Sequence, residues 1–145
     1  MALKDFYTNI GDARMKLEKN ELLTRVFLPS SSAGYRGAYR KLRIRGSIDY
    51  PLAGVAAAWR RSNGHIEDAR VAITAVNPAP LLVPGAGKLL GGAVLDAEVA
   101  AAAGEIAAKM AKPLTTSALT PEYRREMIHI LTKRALLELN SPSKS

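Results

Sequence analysis

The Asn63-Gly64 pair inside Ser62-Asn63-Gly64-His65 constrains this chain more than any other feature of its sequence. A two-residue hairpin turn of type I′ needs φ > 0 at both central residues, which Gly adopts freely and Asn more easily than most side chains. Before the pair runs PLAGVAAAWRR, residues 51–61, whose alanines suit a helix as well as a strand by propensity. After it runs IEDARVAITAV, with Ala69, Val71, Ile73 and Ala75 on one parity, the period of a half-buried strand. The turn settles the choice for the first run, and the two form an antiparallel hairpin.

A third strand is written upstream. In AYRKLRIRG, residues 38–46, Leu42 and Ile44 share one parity while Lys41, Arg43 and Arg45 share the other. Such a strand has an apolar face and a cationic outer stripe. The flexible connector SSSAG, residues 30–34, separates it from ELLTRVFLP, in which Leu22 to Leu28 reads as one further strand stopped by Pro29.

Past the strands the period changes. Asp96 can cap a helix in which Val99, Ala102, Ala103, Ile106 and Met110 fall at helical spacing, with Pro113 stopping it. Thr120 and Pro121 begin another, with Tyr123, Met127, Ile130, Leu131 and the run 135–139 as its buried stripe, ended by Asn140 and Pro142. A short helical turn is expected around Lys88 to Leu90. Strands first and helices afterwards predict an α+β domain: an antiparallel sheet of three to four strands followed by about three helices packed on one face.

A chain of 145 residues that is 48% apolar can bury one real core. With no cysteine it holds no disulfide, thiolate zinc site or cysteine-ligated iron–sulfur cluster of its own. No apolar run is long enough to span a bilayer and no signal-peptide pattern opens the chain, so a cytoplasmic protein with no membrane partner is expected. The net charge of +8 and a pI near 10.0 raise the question of nucleic acid. That reading rests on charge alone, because Trp59 sits in an apolar strand where core packing outweighs base stacking, and no specific nucleic-acid partner is expected.

The tempting chemical motifs fall short. VPGAGKLLGG, residues 83–92, has Leu82 where a phosphate loop needs its first Gly and Leu89 where it needs Ser or Thr, so it reads as a strand-to-helix connector. His65 and His129 lie in a turn and on a helix, read as solvated or helix-surface, and neither has a second ligand at metal spacing. Asp49, Glu67, Asp68 and Glu98 are scattered among different elements. No catalytic constellation is complete, and the isolated chain is not expected to be catalytic.

YRKLRIRGSIDYPLAGVAAA, the hairpin ending ITAVNPAPLLVPG, the following GKLLGGAVLDAEVAAAA, and TPEYRREMIHILTKRAL together resemble the C-terminal domain of the flavoprotein (medium) subunits of molybdenum hydroxylases, the carbon monoxide dehydrogenase and xanthine dehydrogenase group. The resemblance runs from about Tyr35 to Leu139. It implies three or four strands followed by three helices, and a subunit that relays electrons through FAD between iron–sulfur clusters and an external partner. ELLTRVFLP is similar to the end of the preceding FAD-binding domain in those subunits. The resemblance therefore divides the chain into 1–34, the tail of that domain plus a linker, 35–140, the C-terminal-like domain, and 141–145, a flexible tail. It implies as partners the N-terminal FAD-binding domain and the iron–sulfur and molybdenum-cofactor subunits.

The family's Gly-rich pyrophosphate segments belong to that N-terminal domain. This chain is expected to be a fragment or detached module, to bind no FAD alone and to be colourless when purified. At the proline-rich exit, Ala75-Val76-Asn77-Pro78-Ala79-Pro80 stands where G-G-V-A-P-T-P is commoner, a variant similar to the 4-hydroxybenzoyl-CoA reductase flavoprotein subunits. In the family the loop after the basic strand approaches the pyrimidine edge of the flavin. By position, the resemblance makes Arg40, Lys41, Arg43, Arg45, Ser47 and Asp49 the cofactor-binding candidates. The alternative for each is a solvated strand face or a contact to a partner subunit, an assembly role without flavin.

Overall fold

Strands β2 (Ala53–Ser62) and β3 (His65–Thr74) pair antiparallel through the Asn-Gly turn, with Asn63 at φ 50° and Gly64 at φ 83°. The computed structural model describes residues 1–115 and 119–141. A bulge between Arg60 and Arg61 leaves Glu67 without an opposite residue, since Arg60 faces Asp68 and Arg61 faces Ile66. β1 (Arg36–Leu42) adds to the far side of β2, and β4 (Leu81–Leu82) adds to β3, giving a four-stranded sheet in the order β1-β2-β3-β4.

Alternation decides which face is covered. Ala53, Val55, Ala57 and Trp59 of β2 and Ala69, Val71 and Ile73 of β3 are buried beneath the helices. Ala56 and Tyr39, on the other parity, are exposed. The helices are α2 (Pro84–Leu90), α3 (Ala97–Met110) and α4 (Pro121–Asn140), numbered after a single turn, α1 (Leu3–Phe6), near the start of the chain. The expected α+β order of strands, then three helices on one face, is the order observed.

Capping explains where the long helices begin. The Asp96 carboxylate accepts from the amides of Glu98 and Val99 at 2.9 and 2.8 Å, and Thr120 Oγ1 accepts from Tyr123 N at 3.2 Å. Asn140 is the last residue of α4 and Ser141 caps it; residues 142–145 of the expected tail, Pro142 included, lie outside the described residues.

Five expectations are corrected. Leu22 to Leu28 forms no strand: Leu22, Val26, Phe27 and Leu28 are each at least two-thirds exposed, and no described strand pairs with them. The basic strand stops at Leu42, because the Asp49 carboxylate takes the amides of both Ile44 and Arg45, one of which continued pairing with β2 would use, and Ile44 is exposed. Ala75 leaves the ladder at φ 68°, so that Val76 fills the core in its place.

The glycine-rich 83–92 stretch is mostly helix rather than connector: α2 starts at Pro84 and contains Gly85 and Gly87. A Cβ on Gly87 would stand 2.8 Å from the Ala69 carbonyl oxygen, so glycine there is what lets α2 lie against β3. In the long helices, finally, the stripes match in part: Ala103 of α3 and Leu131, Ala135, Leu136 and Leu139 of α4 are buried as expected. α3 buries Ala100, Ala103, Gly104 and Ala107 with Val99, Ile106 and Met110 at the margins, and Tyr123 of α4 is exposed. The smallest side chains face inward because α3 and α4 approach closely there, a requirement that outranks hydrophobic size.

Candidate functional site

Three connectors meet at one end of the sheet: 43–52 between β1 and β2, 75–80 between β3 and β4, and, between α3 and α4, the described residues 111–115 and 119–120. The first is closed at its neck by a hydrogen bond from Leu52 N to Leu42 O at 2.8 Å. Inside it, Asp49 Oδ2 accepts from Arg45 N at 2.8 Å and from Ile44 N at 3.1 Å, while Arg45 Nη2 reaches Asp49 Oδ1 at 3.4 Å. The Arg45 amide, helped by that of Ile44 and by the Arg45 guanidinium, holds the Asp49 carboxyl below the ordinary aspartate range.

A group with a depressed folded-state pKa contributes above its unfolded value, about 3.9, and loses that contribution as pH falls through the folded value. Amide exchange, corrected for its intrinsic pH dependence, should therefore show Ile44 and Arg45 protected at neutral pH and losing protection below about pH 4. Asp49→Asn should remove that pH dependence.

Arg124, in the first turn of α4, lies beneath the connectors and is only 6% exposed. Its Nε donates to Leu52 O at 2.8 Å, Nη2 to Ala75 O at 2.6 Å and Nη1 to Leu114 O at 2.9 Å, one carbonyl from each connector. Burial pushes its pKa down from the ordinary arginine value, which is high enough that it remains a cation. At the same end of the sheet, a cleft of roughly 440 Å³ opens between Arg14, Tyr50, Pro51, Ala75, Asn77 and Pro78. Asn77 Nδ2 donates to Met110 O at 3.3 Å, fixing the 75–80 connector to the end of α3.

The structure brings some candidates together and separates others. Arg45, Ser47 and Asp49 lie in the 43–52 connector, with Arg43 at its neck. Lys41 is the penultimate residue of β1 and pairs with Gly54. Arg40 shares the parity of Ala38 and Leu42, toward the helices, and its Nε bonds Glu138 Oε2 of α4 at 2.8 Å. The six candidates are thus split between two faces of β1 and a loop. Arg124 escaped the reading of the sequence, although positions 124, 128, 131, 135 and 139 continue one helical stripe whose first member is the arginine.

The histidines also resolve. His65 is exposed, with Nδ1 3.2 Å from Gly92 O. His129 is not a plain surface residue: it lies in the α3–α4 seam against Gly104, with Nδ1 3.2 Å from Glu126 Oε1. No group of three or more His, Asp or Glu among the described residues is arranged to hold a metal, and no described helix is long and apolar enough to cross a membrane.

Comparison with known proteins places this geometry. Residues 37–139 match the CO dehydrogenase flavoprotein C-terminal domain family. The chain is 30% identical over 145 residues to the carbon monoxide dehydrogenase medium chain of Afipia carboxidovorans, covering all of this chain and 49% of that protein. It is 31% identical over 129 residues to the nicotine 6-hydroxylase medium subunit of Paenarthrobacter nicotinovorans, covering 89% of this chain and 44% of that one. Among solved structures, quinoline 2-oxidoreductase from Pseudomonas putida 86 superposes with a TM-score of 0.81 at 26% identity, over 93% of this chain and 46% of the other. The chain spans about half the length of these relatives. With a family match over most of its residues, it belongs to the CO dehydrogenase flavoprotein C-terminal domain family, the C-terminal domain of the medium subunit of molybdenum hydroxylase-type oxidoreductases.

Proposed function

We propose that this domain works within an FAD-bearing subunit that relays electrons between iron–sulfur clusters and an external partner, and that its 43–52 connector stands against the pyrimidine edge of the flavin. The observation that carries the proposal is the self-ordered connector. Asp49 spends its carboxylate within the loop, which leaves Arg45 70% exposed, Ile48 and Tyr50 bare, and open space around Gly46. A loop tied by its own carboxylate that presents positive charge and an uncrowded backbone suits one edge of an electron-accepting ring.

The same residues do not suit the whole dinucleotide. The only glycine-rich candidate for a pyrophosphate cradle is folded into α2, with Lys88 in its last turn rather than at a phosphate-binding N-terminus. FAD binding therefore needs a further domain, for which residues 1–34 supply the connecting tail. The exposed apolar side chains of Leu22, Val26, Phe27 and Leu28 support this, since they have the composition of a strand and lack one to pair with. The iron–sulfur and molybdenum-cofactor subunits are the proposed partners, and the Asn77-Pro78-Ala79-Pro80 exit supports a place near the 4-hydroxybenzoyl-CoA reductases.

Bound FAD supplies the redox chemistry; what this chain adds is electrostatic. Positive charge beside the ring favours the negative charge that reduction places there, so removing it lowers the reduction potential. In the full subunit with FAD bound, Arg43→Ala and Arg45→Ala should each lower the potential. The shift should be on the order of 10–20 mV, because water and salt screen exposed side chains. Melting should be unchanged within about ±0.5 kcal/mol. Unchanged potentials together with weakened subunit association would assign the basic segment to assembly.

A further inference from the structure

We infer that Arg124 is the positioning residue of the proposed flavin-facing loop, a single guanidinium that fixes the 43–52 and 75–80 connectors relative to α4. The inference rests on the flavin reading and adds to it the group that sets the loop's place.

The geometry is specific to arginine. Three carbonyls from separate segments approach three different nitrogens of one planar fork, at 2.8 Å for Leu52, 2.6 Å for Ala75 and 2.9 Å for Leu114. A lysine carries its three donors on one atom and cannot reach carbonyls spread around the edge of a guanidinium. Nor is this an ion pair, since no described carboxylate lies within salt-bridge distance of Arg124. A buried cation that only carbonyl dipoles compensate is a costly way to tie loops together if their relative placement does not matter.

The contact continues directly into the connector. Leu52 accepts from Arg124 through its carbonyl and donates through its amide to Leu42 O, so the helix anchors the neck at which the loop closes. From that neck, Asp49 organises the amides of Ile44 and Arg45. On the neighbouring connector the anchored carbonyl belongs to Ala75, where φ is 68° and the chain turns out of β3. The next residue's carbonyl, Val76 O, accepts from Lys112 N at 3.1 Å. One side chain thus holds the carbonyl next to Pro51 and that of Ala75, and Pro51 and Ala75 both line the cleft.

The test has two arms. In the 145-residue chain, Arg124→Lys and Arg124→Gln should speed exchange of the Ile44, Arg45, Leu52 and Lys112 amides about tenfold or more, with the Val55 and Val71 amides within about threefold of wild type. Unchanged loop amides overturn the inference, and so does an equal rise at every amide, which is general destabilisation. In the FAD-bearing subunit, Arg124→Lys should raise the Kd for FAD about tenfold, and Arg45→Ala should raise it as well. If Arg45→Ala weakens FAD and Arg124→Lys does not, the positioning role is wrong and the flavin reading stands. If neither weakens FAD although the loops have loosened, the flavin reading itself fails and takes the inference with it.

Discussion

Leucine in place of Gly104 is expected to push α3 off α4 and to cost roughly 3 kcal/mol or more, the upper end of what overpacking a closed interior costs. Even a bare Cβ at this position would stand 2.6 Å from His129 Cδ2 and 2.7 Å from the His129 carbonyl oxygen. The second contact decides the sign, because a ring can rotate away while the backbone of α4 cannot yield without moving the helix. Alanine is the informative control. It adds only the Cβ, and part of the clash is offset by the gain of about 1 kcal/mol that alanine brings over glycine inside a helix. Urea denaturation should rank wild type above Gly104→Ala, and Gly104→Ala above Gly104→Leu. A Gly104→Leu variant as stable as wild type would mean that α3 and α4 are not in contact at this point.

The same seam shows where the sequence could and could not be read. The hairpin was legible because Asn63-Gly64 demands an uncommon backbone conformation that few residue pairs satisfy, and both φ values are positive as required. Both long helices were legible at their starts because Asp96 and Thr120 satisfy specific amides. Their buried faces were legible only in part. Periodicity weights the large side chains Val99, Ile106 and Met110, whereas the sheet-side packing and the α3–α4 approach select Ala100, Ala103, Gly104 and Ala107. Inter-helix distance is a property of two elements together and leaves no mark on either alone.

At the site the limit is of another kind. Alternation extended β1 through Arg45, but a carboxylate several residues ahead competes for the amides of Ile44 and Arg45, and local side-chain capture ends the ladder at Leu42. Of the stripe expected from Lys41, Arg43 and Arg45, only Lys41 stays in the strand, while Arg43 and Arg45 fall in the connector and Arg45 turns to Asp49. Arg124 went unseen for the opposite reason. A charged residue in a buried stripe reads as an interruption until the carbonyls it serves are known, and those come from segments 10 to 72 residues away.

Trp59→Ala should cost about 3–5 kcal/mol, the range for emptying a large aromatic from a core. Trp59 is 1% exposed on the helix-covered face of β2, opposite Ala69 of β3 in the buried cluster, with the Arg61 guanidinium 5.5 Å from its ring. That burial removes Trp59 as a platform for base stacking, whereas Tyr50, in the basic 43–52 connector, stays 87% exposed. The loss on truncation is bounded by an opposing term: Trp59 Nε1 is buried without a hydrogen-bond partner, and such an orphaned donor costs about 1–3 kcal/mol. Phenylalanine removes the donor while keeping most of the ring, so Trp59→Phe should lose well under half of what Trp59→Ala loses. Because Trp59 pairs with Arg36 at the end of the sheet remote from the 43–52 connector, Trp59→Phe should also leave the protection of the Ile44 and Arg45 amides unchanged. Equilibrium unfolding gives the first comparison and amide exchange the second. A Trp59→Phe variant as damaged as Trp59→Ala would show that the indole N–H makes a contact worth more than its desolvation, and a loosened connector would show that the two ends of the sheet are coupled.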